Sequence, residues 1–185
     1  MTVNLVYLQG MEYAQHPVQF FTAVCQDWLK LLSDDACKQM IVEALKFRIV
    51  RGEVKVGAYV IMPNHIHVIW RVQNGYRRED LQRDFLKFTA KDIIERIRTK
   101  EGERELESLY VGLKDRKFQV WKRNSMTVDL ISQKFLKQKL EYIHYNPCQP
   151  HWNLVNHPVE YRFSSAKFYE TGEDEFGLLT HFEDL

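Results

Sequence analysis

The sequence has few of the features that mark secreted, membrane-bound or multidomain chains. Its three cysteines (Cys25, Cys37 and Cys148) are too few and too widely spaced for a disulfide framework or a cysteine zinc site. It has no Gly/Ser linker, no low-complexity segment and no internal repeat. No apolar run approaches the roughly 20 residues that span a bilayer, and the N-terminus lacks a secretory pattern. We therefore expect a cytoplasmic protein without a membrane partner.

The length and composition are those of one soluble globular domain. The chain has 185 residues, of which 45% are hydrophobic and 28% are charged, and a chain of this length can bury a sizeable core. We expect a single domain over residues 1–185, with an N-terminal extension at 1–15 and an acidic C-terminal tail at 170–185.

The net charge of +1 conceals an uneven distribution of charge. Between Lys114 and Lys139 there are eight basic residues and two acidic ones, whereas the tail from Glu170 onward has six acids and no Lys or Arg. A basic region beside an acidic tail predicts a polyanionic partner and suggests a tail that competes with it. The plainer interpretation is a solvated helix face followed by a charged terminus.

The order of hydrophobic patterns predicts an α+β fold. Apolar and β-branched runs predict strands at 18–25, 54–62, 65–72 and 117–123, while helical spacing predicts helices at 36–50, 77–98 and 128–145. The first six elements follow the β-α-β-β-α-β order of the ferredoxin-like split β-α-β fold, an antiparallel sheet with both helices on one face. We expect the third helix to lie over the open face of the sheet.

The second strand of the predicted hairpin contains His65 and His67, within the segment MPNHIHVIW at 62–70. Side chains alternate along a strand, so His65 and His67 share one face, and Ile66, Val68 and Trp70 share the other. By strand rise the histidine Cβ atoms lie roughly 6–7 Å apart, close enough for both imidazoles to bind one ion. A His-x-His pair on a strand is also compatible with an ordinary polar face.

The last predicted helix carries a tyrosine on a narrow stripe. Gln138, Tyr142 and Asn146 recur at one-turn intervals, and a proline ends the helix directly after Asn146. Tyr142 and Asn146 can therefore face the same point in space. A helical tyrosine is, however, more often a half-buried packing residue with a wet hydroxyl.

These residues together resemble a known family. MPNHIH, followed about seventy residues later by QKLEYIHYNP and then by SSAKFY, resembles the REP-associated tyrosine transposases. These belong to the single-tyrosine HUH transposases (the IS200-like group), in which HUH denotes His, a bulky hydrophobic residue and His. The resemblance extends from about residue 16 to residue 168, and it implies a single HUH transposase-like domain in which the third helix is the catalytic one.

The resemblance implies a role for each residue at the site. Tyr142 would be the nucleophile that attacks single-stranded DNA and forms a 5′-phosphotyrosine. His65, His67 and Asn146 would hold a divalent metal, Mg²⁺ or Mn²⁺, and Gln138 would be a further ligand or a supporting residue. Because imidazole suits a hard cation poorly, Mn²⁺ would match the mixed nitrogen and oxygen ligands better than Mg²⁺.

The predicted partner is single-stranded or hairpin DNA of the REP type. Aromatic side chains stack on the bases of single strands, so Trp121 is a stacking candidate, although a tryptophan in a strand is more often part of the core. The candidate phosphate contacts are Lys122, Arg123, Lys134 and Lys139.

Three functions are compatible with these residues. The first is a metal-dependent endonuclease and strand transferase. The second is a non-catalytic, structure-specific DNA-binding protein with the same fold. The third is a metal-dependent phosphodiesterase that uses water, which needs a carboxylate base; Glu141 lies about 100° away from Tyr142 on the helix. The sequence leaves open whether the protein is a monomer or a homodimer.

Overall fold

The computed structural model describes residues 16–100, 102–114 and 116–185, so the predicted N-terminal extension at 1–15 lies outside the described residues. The helices and strands, in chain order, are β1 (Gln19–Val24), α1 (Asp35–Val50), β2 (Val54–Met62), β3 (His65–Val72), α2 (Arg78–Lys100), β4 (Tyr110–Leu113), β5 (Arg116–Phe118), β6 (Met126–Asp129), α3 (Gln133–Tyr145) and α4 (Ala166–Thr171).

The main sheet has four strands in the order β2-β3-β1-β6, and each neighbouring pair is antiparallel. This is the strand order of the split β-α-β fold, so the predicted α+β class is confirmed. Strands β2 and β3 form a hairpin in which Met62 pairs with His65. Pro63 and Asn64 are therefore the two loop residues, as the sequence predicted.

Helices α1 and α2 cover one face of the sheet. Ile66, Val68 and Trp70 of β3 point toward these helices, as predicted from the alternation, and all three are fully buried. The helices contribute apolar side chains that recur at helical spacing, which is why each presents one face to the sheet. The buried helical side chains of this core are Cys37, Ile41, Val42, Leu45, Leu81, Phe85, Ile93 and Ile97.

Asp34 joins the start of α1 to the end of α2. As the N-cap residue, its Oδ1 accepts a hydrogen bond of 3.1 Å from the Ala36 N–H, which satisfies a free donor of the first helical turn. Its Oδ2 lies 2.9 Å from both Arg96 Nη2 and Lys100 Nζ. These hydrogen bonds and ion pairs hold the Asp34 pKa well below its usual range, with Lys100 making the largest contribution and Arg96 the next.

Helix α3 lies on the opposite face of the sheet, as predicted for the third helix. Leu136 and Ile143 are buried there against Phe20, Val60 and other apolar residues of the sheet. Ser132 is the N-cap residue, and its Oγ accepts a hydrogen bond of 3.2 Å from Phe135 N–H. This cap fixes the start of the helix five residues later than the predicted residue 128.

The fourth strand of the sheet is not the segment that the sequence predicted. Within 117–123, only the first two residues belong to a strand, and that strand (β5) pairs with β4 in a separate two-stranded sheet. The main sheet is completed by β6, whose Thr127 and Val128 pair with Phe21 and Phe20 of β1. The sequence pattern places residues 128–129 in the following helix. A strand of four residues is too short to show a clear alternation of apolar and polar side chains.

The acidic tail packs along the outer edge of β2. Leu179 forms a parallel bridge with Val56, and Leu178 is only 2% exposed in the main core. Gly57 allows the close approach of the tail, since a Cβ at this position would lie 2.5 Å from Leu185 Cδ1. The tail therefore covers an edge strand that would otherwise present unpaired backbone groups.

This placement bears on the hypothesis that residues Glu170–Leu185 occupy the basic region. Within that basic region, Lys137 places its ammonium 5.9 Å from the ring centroid of Phe182 in the tail. Glu173 and Glu175 of the tail pair instead with Lys167 and Arg162, which lie outside that region. Together with the burial of Leu178, these contacts indicate a structural role. No helix among the described residues is both long and apolar enough to cross a membrane.

Candidate active site

The two histidines of β3 lie side by side beneath α3. Their ring centroids are 4.7 Å apart, and His65 and His67 are 7% and 5% exposed. Because the apolar residues of β3 face the opposite core, the histidines project from the face that α3 covers. The strand alternation predicted from the sequence therefore places both imidazoles in one partly enclosed site.

Each imidazole is held by its Nδ1 atom. His65 Nδ1 donates to the Asn64 side-chain oxygen over 2.7 Å, and His67 Nδ1 lies 2.8 Å from the Thr22 hydroxyl. A partner on Nδ1 fixes the orientation of the ring and directs the other nitrogen, Nε2, toward a ligand. Histidines that bind metals are commonly held in this way.

The environment of the histidines favours their neutral form. Burial lowers the pKa of His65 to about 4, an effect that the neighbouring Asn146 amide partly offsets. Burial also lowers the pKa of His67 well below its usual value, and the nearby His65 and Lys139 act in the same direction. Both rings are therefore uncharged at neutral pH, the state in which a ring nitrogen can donate its lone pair to a metal.

Asn146 brings an amide oxygen to the site from the C-terminal end of α3. This residue is only 4% exposed, and its Oδ1, like Nε2 of His67, is buried without a hydrogen-bond partner among the described residues. A buried polar atom without a partner is costly unless something binds it. Two imidazoles and an amide oxygen that converge in this way fit a divalent ion with mixed nitrogen and oxygen ligands.

The described residues contain no group of three or more His, Cys, Asp and Glu side chains that could hold a metal. The candidate third ligand is the Asn146 amide, and the part of the chain that the structure describes brings no carboxylate to the histidine pair. Such a site has little negative charge of its own, which leaves room for an anionic substrate to complete the coordination of an ion.

Tyr142 lies beside the histidines on the solvent side. Its ring centroid is 5.2 Å from that of His67, and the residue is 46% exposed. Phe20 of β1 stacks on His67 with a centroid distance of 5.1 Å and contacts Tyr142 edge-on. Lys139, one turn earlier on α3, places its ammonium 5.5 Å from the Tyr142 ring. A solvent-accessible phenol and a cation thus stand next to the candidate metal ligands.

Trp152 closes the other side of the site. Its ring centroid is 5.8 Å from that of His65, and the residue is half-buried. The ammonium of Lys30 lies 5.9 Å from the same indole ring. The histidine pair is thus flanked by Trp152 on the side of His65 and by Tyr142 on the side of His67.

The other predicted site residues have different surroundings. Gln138 lies one turn before Tyr142 on α3 with its side chain exposed. Arg123 and Lys134 are exposed, and Lys122 and Lys139 are half-buried, so all four cations can reach solvent. The predicted stacking role of Trp121 is wrong. The residue is only 6% exposed, and its indole N–H donates to Thr89 Oγ1 over 3.0 Å. It belongs to the core and is not available to stack on a base.

Several residues of the site were not found from the sequence. Thr22 reaches His67 only because β1 pairs with β3 in one register, which a single sequence does not reveal. Phe20 and Trp152 are brought in by the packing of distant segments. Asn64 could have been found, because it adjoins the His-x-His pair, but we interpreted it as a turn residue.

Comparison with protein-family models finds no match, and comparison with curated proteins finds none. Among solved structures, a REP-associated tyrosine transposase bound to a REP hairpin matches with a TM-score of 0.62 and 20% sequence identity. The match covers 100% of this chain and 96% of that one. The chain has the fold of a REP-associated tyrosine transposase.

A second solved structure, a predicted transposase from Deinococcus radiodurans R1, matches with a TM-score of 0.45 and 12% identity over 77% of this chain and 95% of that one. The resemblance that the sequence motifs indicated is thus confirmed by the fold of the first neighbour.

Proposed function

We propose that this protein is a metal-dependent enzyme that nicks and rejoins single-stranded DNA, with Tyr142 as the nucleophile. One observation carries the proposal. A buried imidazole nitrogen of His67 and a buried amide oxygen of Asn146 lack partners, and the exposed Tyr142 lies beside them. A site for a cation and a free nucleophile therefore adjoin each other at the surface.

His65, His67 and Asn146 are the residues that would hold the ion. Their nitrogen and oxygen donors suit Mn²⁺ better than Mg²⁺, which prefers oxygen ligands. When bound, a divalent ion withdraws charge from a phosphate oxygen and orients the scissile bond. The Nδ1 hydrogen bonds of the two imidazoles with Asn64 Oδ1 and the Thr22 hydroxyl hold the rings in the orientation that such binding requires.

The proposed reaction is an attack by the Tyr142 phenol oxygen on the phosphorus of a DNA phosphodiester. A bond forms between this oxygen and phosphorus, and the bond between phosphorus and the 3′ oxygen breaks. The phenol loses its proton, and the departing 3′ oxygen gains one. The products are a 5′-phosphotyrosine and a free 3′-OH, and attack by a 3′-OH on the phosphotyrosine rejoins the strands. The covalent phosphotyrosine link conserves the free energy of the broken phosphodiester bond, so no nucleoside triphosphate is required.

Lys139 is placed to contact the DNA at the reacting phosphate. Its ammonium lies within 6 Å of the rings of both Tyr142 and Phe20. Lys122, Arg123 and Lys134 would make further phosphate contacts, which contribute affinity but no sequence information. The neighbour with the same fold is bound to a REP hairpin, which favours hairpin DNA as the substrate class here.

A hydrolytic phosphodiesterase with the same ligands would need a base to activate water. Glu141 is next to Tyr142 in the sequence, but its side chain is exposed and lies about 100° around the helix. The placement of Tyr142 against His67 favours a tyrosine nucleophile over an activated water.

The decisive experiment is to trap the covalent intermediate. Labelled hairpin DNA from the repeats flanking the gene, with single-stranded ends, is incubated with the protein and Mn²⁺ and then denatured. The wild type should form an adduct that survives denaturation, and Tyr142→Phe should form none while still binding the DNA. Tyr145→Phe is the matched control, because Tyr145 is 49% exposed on the same helix and lies one turn further along.

Each outcome separates the candidate functions. Cleavage by Tyr142→Phe would contradict the nucleophile assignment and favour water. Binding of hairpin DNA by the wild type without an adduct or cleavage would favour a structure-specific binding protein. Loss of the adduct in Tyr145→Phe as well as in Tyr142→Phe would show that the assay reports on the packing of α3.

A further inference from the structure

Trp28 is an exposed tryptophan in an unusual backbone conformation. It follows β1 in the loop before α1, and 58% of its surface is accessible. Both Trp28 and the preceding Asp27 have left-handed backbone angles, with φ values of 60° and 50°. A bulky residue rarely adopts this conformation, which is mainly used by glycine and asparagine.

The conformation of this loop is held by specific hydrogen bonds. The backbone N–H of Trp28 donates to the Cys25 carbonyl over 3.1 Å, and Leu29 N–H donates to the Gln26 carbonyl over 3.0 Å. Gln26 N–H in turn donates to the carbonyl of Val120 over 2.7 Å. Left-handed angles at residues other than glycine are unfavourable, and such residues cluster at functional sites. The fold thus holds a large aromatic ring at the surface at some cost to stability.

The ammonium of Lys122 lies over the indole ring of Trp28. Lys122 Nζ lies 4.3 Å from the centroid of the Trp28 indole, and the Lys122 backbone N–H is anchored on the Val24 carbonyl of β1 over 2.8 Å. Arg123, the next residue, is exposed. An exposed indole beside the Lys122 ammonium matches the chemistry of single-stranded DNA, in which bases stack on aromatic rings and phosphates contact basic side chains.

The backbone of Trp28 is linked through Asn64 to His65, one of the candidate metal ligands. The side-chain NH₂ of Asn64 donates to the Trp28 carbonyl over 3.2 Å, and the oxygen of the same amide accepts from His65 Nδ1 over 2.7 Å. One side chain therefore positions both the backbone that carries the indole and the first histidine. DNA whose phosphate lies at the histidine pair would extend past this loop.

We propose that Trp28 stacks on a base of the single-stranded DNA next to the scissile phosphate, while Lys122 contacts the adjoining phosphate. This inference rests on the proposed function, since it assumes that DNA is the ligand of the neighbouring site. It assigns to Trp28 the stacking role that the sequence suggested for Trp121, which the structure places in the core.

The test measures binding of a 5′-labelled single-stranded oligo-dT of about 15 nucleotides, a length within the range of known single-strand sites. Stacking is worth about 1–3 kcal/mol per base. Trp28→Ala should therefore raise the dissociation constant between about 5-fold and 150-fold. Trp28→Phe should restore most of the affinity. Tryptophan emission should be quenched by the oligonucleotide in the wild type, and this quenching should be largely lost in Trp28→Phe.

Phe47→Ala is the matched control. Phe47 is also an exposed aromatic residue (55%) with a nearby cation, since Arg51 Cζ lies 5.4 Å from its ring. It lies on α1, which covers the opposite face of the sheet from α3. Its removal should leave the affinity for oligo-dT unchanged. Equal losses in Phe47→Ala and Trp28→Ala would indicate non-specific effects and overturn the proposal.

The results separate this inference from the proposed function. Trp28→Ala should bind Mn²⁺ as the wild type does, because the indole does not contact the ion. Unchanged affinity for oligo-dT in Trp28→Ala would overturn the stacking role and leave Trp28 as a contact for a protein partner. If the wild type binds DNA with Trp28-dependent quenching but forms no adduct, the proposed chemistry fails while the stacking role is supported.

Discussion

His67 on β3 lies directly opposite Thr22 on β1, and its Nδ1 atom is 2.8 Å from the threonine hydroxyl. We predict that Thr22→Val lowers the affinity for Mn²⁺ by about 10- to 100-fold, because loss of such a supporting hydrogen bond lets the ring turn. Calorimetric titration with Mn²⁺ measures the effect. Thr22→Ser keeps the hydroxyl and should bind nearly as the wild type does; equal losses in both variants would indicate that the site tolerates no change in side-chain shape at this position, whatever the hydrogen bond.

Asn64 offers a substitution that separates its two hydrogen bonds. In Asn64→Asp, one carboxylate oxygen can still accept from His65 Nδ1, but the donor to the Trp28 carbonyl is lost. We expect Mn²⁺ binding to be retained and the affinity for oligo-dT to fall several-fold. Asn64→Ala should weaken both. Parallel titrations with Mn²⁺ and with oligo-dT measure the two affinities. If both variants bind oligo-dT as the wild type does, Asn64 does not support DNA binding through the Trp28 loop.

Replacing Trp28 by glycine should weaken the binding of oligo-dT while leaving the stability of the fold nearly unchanged. Glycine adopts a φ of 60° without strain, which stabilises the folded state. This gain offsets two losses: the contacts of the partly exposed indole, and the greater conformational entropy of glycine in the unfolded chain. We expect the free energy of unfolding to stay within about 1 kcal/mol of the wild type, while the affinity for oligo-dT falls as in Trp28→Ala. Denaturant titration measures the first quantity; a large loss of stability would show that the indole mainly supports the fold.

The ion pairs of Asp34 should make stability depend on pH. The folded-state pKa of Asp34 is depressed, so its contribution is present above the unfolded pKa of about 3.9 and is lost as the pH falls below that value. Asp34→Asn keeps the helix cap but loses the pairs with Arg96 and Lys100. Partly exposed pairs contribute up to about 1 kcal/mol each. We expect a destabilisation of about 1 kcal/mol at pH 7 that shrinks in acid, whereas a difference independent of pH would contradict this account.

The tail should contribute to stability rather than restrain the site. Leu178 is 2% exposed in the main core, so Leu178→Ala should lower the free energy of unfolding by about 2–4 kcal/mol. Thermal and denaturant unfolding measure this effect. Glu170→Gln is a control that alters tail charge at an exposed position and should change stability little. A rise in DNA affinity in Glu170→Gln, without loss of stability in Leu178→Ala, would restore the hypothesis of a competing tail.

The parts of the fold that follow from short-range patterns could be predicted from the sequence. The alternation of His65, Ile66, His67 and Val68 assigned two faces to β3, and the structure confirms both. Leu136 and Ile143 of α3 lie seven residues apart, about two helical turns, so they share one side of the helix, and both are buried. In each case one residue period determines which side chains share a face, and burial follows from that period.

The parts that depend on long-range pairing could not be predicted. β6 has four residues, and its place beside β1 depends on the register of Phe20 and Phe21. The sequence indicated Trp121 as the stacking residue and gave no indication of Trp28; only the packing of α2, whose Thr89 accepts from the Trp121 indole, shows that Trp121 is buried. The hydrogen-bond partners of the two histidines come from residues 22 and 64, and only the latter adjoins them in the sequence.

The site described above is assembled from three separate stretches of chain. Thr22 supports it from the first strand, residues 64–67 form its floor, and Tyr142 and Asn146 arrive with the last long helix. A nascent chain that has not yet produced α3 lacks both the proposed nucleophile, Tyr142, and the proposed third ligand, Asn146. A molecule in which β1 has detached from β3 loses the support of His67. The proposed nicking activity is thus restricted to finished, correctly folded copies, so that synthesis intermediates and damaged molecules cannot cut DNA.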